Sequence, residues 1–138
     1  MNAKKYIKKS FKTSLKTKNS LYKNRLISYR KGSKIVKLDK PTNPVRAATL
    51  GYKQAKGYSV YRIAVRKGMR ARPKPDQGRK PGKSRKFKEP GFSWQTYAEN
   101  TVLKTRHNLM AIGSYKIGED GDTSFYEVLT RTKLFIYY

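Results

Sequence analysis

A chain of 138 residues with 34 Lys and Arg against 8 Asp and Glu carries a formal charge of +26, far outside the range of a neutral globular domain. Self-repulsion of that size opposes a compact state, so the expected partner is a polyanion, either nucleic acid or an anionic surface. With no cysteine, disulfides and thiolate metal sites are excluded.

The charge is uneven: residues 1–88 hold 29 basic and 2 acidic residues, whereas residues 89–138 hold 5 and 6. Leu, Ile, Val and Phe number only 27, and eleven tyrosines offset part of that deficit. Such a composition predicts one small core, completed on a partner and surrounded by extended basic segments. No apolar run reaches the roughly 18 residues of a membrane span. The opening MNAKKYIKKSFK has charge but no apolar stretch behind it, so it does not read as a secretory signal. It is basic like a mitochondrial presequence, yet has no arginine before Arg25, and an intracellular location is expected.

In chain order, Ile7, Phe11 and Leu15 fall four apart beside Tyr6, giving a narrow apolar stripe on a cationic helix over residues 4–18. Leu21, Tyr22, Leu26 and Tyr29 mark a second helix, with Gly32 as its stop. Neither helix has acids at i,i+4, which argues against a merely solvated charged face. Asn43 as N-cap, Pro44 at the first helical position and Gly51 after the last turn delimit a short helix. The opening strand follows, with Tyr61, Ile63 and Val65 on one face and Val60, Arg62, Ala64 and Arg66 on the other. The first face is expected to pack and the second to carry charge.

Residues 71–91 contain four of the six prolines and three glycines among their cations, the composition of an extended basic loop. SWQTYAENTVLKTRHN then reads as a helix presenting Trp94, Tyr97, Ala98 and Val102, capped by the pair Thr96 and Glu99. Two apolar-rich runs around a Gly and Asp turn make NLMAIGSYKIGEDGDTSFYEVLTR a hairpin. The expected fold class is α+β: a small antiparallel sheet with packed helices, basic N-terminal helices over residues 1–39 and the proline-rich loop, all in a single domain spanning 1–138.

Catalytic motifs are weak. GRKPGKS, residues 78–84, fails as a phosphate-binding loop because three residues separate its glycines and no strand precedes it. Glu119, Asp120 and Asp122 match no calcium loop and read as turn residues, with positive φ and side-chain-to-backbone bonds expected there. His107 has no companions for a triad or a zinc site. Tyr52, Tyr58 and Tyr61 lie among cations, which suits either base stacking or an amphipathic core.

Residues 40–73, KPTNPVRAATLGYKQAKGYSVYRIAVRKGMRARP, resemble the signature region of the archaeal and eukaryotic large-subunit ribosomal protein of the fifteen-e family, with LGYK, KGY, YRI and VRKG followed by RARPKP in the family's order. AEN at Ala98–Asn100, the hairpin GSYKIGEDGDTSFYEVL and the KKYIKK opening are similar to the family as well. Two departures stand out: Ala48 and Thr49 occupy positions before LGY that are usually basic, and the family's long basic C-terminal extension does not follow the hairpin.

The resemblance implies a non-enzymatic structural constituent of the large subunit in the cytoplasmic ribosome. It implies large-subunit rRNA and neighbouring ribosomal proteins as partners, with no cofactor, metal, membrane or small-molecule substrate. The rival reading is a free-standing basic nucleic-acid compaction or RNA chaperone protein. Candidate RNA-contacting residues in the helices are Lys4, Lys5, Lys8, Lys9, Arg25, Arg30 and Arg46. Around the strand they are Tyr52, Lys53, Lys56, Arg62, Arg66, Lys67 and Arg70. In the loop they are Arg72, Lys74, Arg79, Lys80, Lys83, Arg85, Lys86 and Lys88.

Overall fold

The computed structural model describes residues 2–68, 70–71, 77–78, 82 and 87–133. Two helices come first, α1 (Ala3–Thr17) and α2 (Ser20–Lys31), followed by β1 (Ile35–Leu38), α3 (Pro44–Thr49), β2 (Tyr58–Arg66), α4 (Trp94–Thr105), β3 (Leu109–Glu119) and β4 (Thr123–Thr132). The four strands form one antiparallel sheet in the order β1-β2-β4-β3. The α+β expectation holds.

Local chemistry explains most of the boundaries. Asn2, Asn19, Asn43 and Ser93 each accept a backbone N–H at the start of a helix, the usual way of satisfying donors that have no intrahelical partner. Ser93 therefore caps α4, where Thr96 and Glu99 were expected. Glu99 instead accepts from the Ser114 hydroxyl on β3. Past α3, Gly51 adopts a φ of 96°, and the Gly51 and Tyr52 amides return to Ala48 and Ala47, closing a Schellman turn. The helical reading of residues 1–39 gives way after Lys31 to β1, an edge strand.

Both faces of the sheet are covered. On one, Val60, Tyr115, Ile117, Phe125 and Leu129 pack with Tyr22, Leu26 and Ala47, and with Phe11, Leu15 and Tyr29 partly buried beside them. On the other, Tyr61, Ile63, Val65, Tyr126 and Val128 pack with Ala98 and Val102 of α4. The sheet is thus the middle of three layers, with α1, α2 and α3 above and α4 below. This corrects the expectation for β2. Its Val60–Arg62–Ala64 face is roofed by helices, because β2 is a central strand whose apolar residues on both sides must leave water. Leu21, expected in the helix stripe, is instead 65% exposed.

Helix α2 approaches the sheet at Gly118, where an added Cβ would lie 3.1 Å from the Leu26 side chain and the Tyr22 hydroxyl. That glycine sits at an irregularity in the β3–β4 register. One buried carboxylate ties the upper layer down. Glu127, wholly buried on β4, accepts the Thr42 amide at 3.0 Å and also the hydroxyls of Thr42 and Tyr115. A buried carboxylate is tolerable only when bonded in this way. Burial and then the Glu127 charge push the Tyr115 hydroxyl above its ordinary pKa.

Candidate nucleic-acid interface

The acids of this chain are concentrated late in the sequence, and folding brings three of them back onto specific cations. Arg30 meets Asp120 at 2.6 Å, Lys67 and Lys116 meet Glu119 at 2.9 and 2.8 Å, and Arg70 meets Glu89 at 2.5 Å. The Lys67 ammonium also donates to the Asp120 carbonyl. Hydrogen bonds from Lys116 and Lys67 hold the Glu119 carboxyl at about 2, while the Gly121 amide and then Arg30 lower that of Asp120. The acidic hairpin turn is therefore a clasp that fastens α2 and the exit of β2. Asp120 makes the side-chain-to-backbone bond a turn residue should, to Gly121 N at 2.8 Å. Positive φ is absent from Gly121; among the glycines it occurs instead at Gly51, Gly57, Gly68 and Gly78. No cluster of metal-ligating side chains occurs among the described residues. His107 lies exposed in the turn between α4 and β3.

Arg30, Lys67 and Arg70 of the candidate set thus already have acidic partners, and Arg62 has an aromatic one, lying over the Tyr29 ring. Lys4, Lys5, Lys8, Lys9, Arg25, Arg46, Lys53, Lys56, Arg66 and Lys88 are exposed and form no ion pair with a described residue. They occupy a first region, helices α1, α2 and α3, and further positions before β2 (Lys53, Lys56), at its last residue (Arg66) and at the loop bridge (Lys88). Lys12 and Lys16 extend the first region and were missed, although their spacing of four after Lys8 puts them on the same side of α1.

Tyr52 is half-buried against the upper core and meets Tyr58 edge-on at 5.9 Å. Tyr61 is buried below the sheet, so it offers no face to a base. At the loop, Ala71 and Lys88 form an antiparallel bridge, and Arg70 lies over the Phe87 ring at 4.4 Å, so the two ends are pinned together. Arg72, Lys74, Arg79, Lys80, Lys83, Arg85 and Lys86, and most of GRKPGKS, lie outside the described residues.

What such a surface can do is electrostatic. Cations with no protein counter-charge on a structured scaffold attract phosphates and release their condensed counterions. No helix among the described residues is long and apolar enough to cross a membrane.

Residues 2–132 match the protein family described as Ribosomal L15. Over 124 residues the chain is 35% identical to "Large ribosomal subunit protein eL15" of Nanoarchaeum equitans (strain Kin4-M), an alignment that covers 90% of this chain and 65% of that relative.

Proposed function

The chain belongs to the Ribosomal L15 family, and from that premise we propose that it is a non-catalytic structural constituent of the large ribosomal subunit in the cytoplasmic ribosome, binding large-subunit rRNA and abutting neighbouring subunit proteins. The name of the Nanoarchaeum relative supplies the assembly, and the charge surface supplies the chemistry. The observation that carries the reading is the set of exposed cations on α1, α2 and α3 and around β2 that form no ion pair with a described residue.

In this account the three-layer core is a mount. It fixes lysines and arginines along helices and strand ends, so little of their backbone freedom is lost on binding. Phosphates positioned against them set the orientation of the protein on the RNA. The cations of residues 71–91 add to the same contact, and the chain acts as one unit.

Sedimentation tests this directly. The purified chain added to large subunits depleted of their own copy should co-sediment at one copy per subunit. Promiscuous binding to duplex DNA without stoichiometric co-sedimentation would favour the free-standing compaction protein instead.

A further inference from the structure

Helix α1 is anchored at its C-terminal half, where Phe11 and Leu15 pack on the upper core. Its first turns extend past that contact, leaving Tyr6 57% and Ile7 42% exposed. Across from them stands the exposed Leu21 of α2, and an open cleft of about 390 Å³ separates the two helices, with Arg25 in its lining. Tyr6 and Ile7 thus lie outside the protein core, on a helix whose other exposed residues include lysines and no acids. The volume lies within the range of small-molecule sites, roughly 300–1,000 Å³.

We propose that this α1–α2 cleft receives one unpaired nucleotide of the RNA, its base stacked on Tyr6 against the apolar wall of Ile7 and Leu21, and its phosphate held by Arg25. The inference rests on the proposed RNA binding and adds a specific subsite to it. Charge complementarity selects the occupant: an apolar peptide would cover Ile7 and Leu21 but leave Arg25, which forms no ion pair with a described residue, without counter-charge. A nucleotide brings both a flat ring and an anion. Proteins that recognise single-stranded RNA combine these two elements, an aromatic platform and a cationic track.

The test compares binding of the full chain to a single-stranded oligoadenylate and to a blunt RNA duplex matched in phosphate count. Tyr6→Ala should weaken oligoadenylate binding by about 5- to 150-fold, the range for losing one base–aromatic stack, and leave duplex binding unchanged. Tyr6→Phe and Tyr6→Trp should restore it, whereas Lys8→Gln should weaken both probes alike. Equal loss on both probes, or no loss on either, would overturn the inference. So would a Tyr6→Ala chain that binds both RNAs normally but enters large subunits poorly, because the cleft would then hold a protein. Failure of the unaltered chain to bind either RNA would instead remove the proposed function on which the cleft depends.

Discussion

The guanidinium carbon of Arg62 lies 4.2 Å from the centroid of the Tyr29 ring, joining the central strand to helix α2. Tyr29 in turn meets Phe125 at 5.4 Å, so the cation caps an aromatic pair that reaches the core. Gly32 leaves room for this, since a Cβ there would stand 3.0 Å from the Arg62 side chain. A position with the look of a phosphate contact therefore has a role inside the protein.

That role separates the two arginines of β2. Arg62→Gln should destabilise the fold by about 0.5–2 kcal/mol, the span of a cation–π contact from exposed to desolvated. Arg66 is exposed and forms no ion pair with a described residue, so Arg66→Gln should leave stability within about 0.5 kcal/mol and weaken RNA binding. Urea unfolding of both variants, paired with affinity for an rRNA fragment, reads the difference.

The Glu127 cradle predicts a response to alkali. Because the folded pKa of Tyr115 is raised, the neutral hydroxyl is favoured in the fold. The resulting stability is fully present below the unfolded value of about 10 and is lost as pH rises above it. Tyr115→Phe should cost about 1–3 kcal/mol at neutral pH, by leaving Glu127 short of a donor, and should flatten the alkaline decline. Thermal unfolding between neutral pH and alkali, with and without the substitution, checks both parts.

At the acidic turn the sign is opposite. The Glu119 carboxyl is held at about 2 by Lys116 and Lys67, so its contribution is present above the unfolded carboxylate range. It fades as pH falls from about 4.5 to about 2. With 46% of the Glu119 side chain exposed, water screens the pairs, and Glu119→Gln should change stability by less than about 1 kcal/mol. Acid titration of the two proteins should show a shallower slope for the variant within that window only.

Much of the scaffold was legible because its signals are local. Asn43, Pro44 and Gly51 bracket α3 by their own side chains and backbone preferences, and the alternation around Asp120–Asp122 makes the hairpin. The strand IVKL escaped because four residues among lysines carry little periodicity. Its identity comes from pairing with β2 some two dozen positions away. The upper face of β2 was misread for a related reason: Arg62 and Arg66 dominate its appearance, whereas Val60 and Ala64 reveal their burial only once α2 and α3 lie over them.

The site divides in the same way. An excess of cations over acids is a property of composition and can be read directly. Which cations are spent on the protein is not, because Asp120 and Glu119 reach Arg30 and Lys67 only after the hairpin folds back across the chain. Among the cations of the basic N-terminal helices, Arg30 is thus reserved for the fold.

The salt dependence of rRNA binding bears most directly on the proposal that exposed cations forming no ion pair with a described residue hold phosphates. Affinity for an rRNA fragment should fall linearly in log K against log[salt], with a slope of about −0.7 to −0.9 for each phosphate neutralised, and several phosphates should be counted. Lys4→Gln, Lys8→Gln and Arg66→Gln should each make that slope shallower by about one contact while leaving unfolding unchanged. A binding constant nearly flat from low to physiological salt, or a slope indifferent to all three substitutions, would contradict the account.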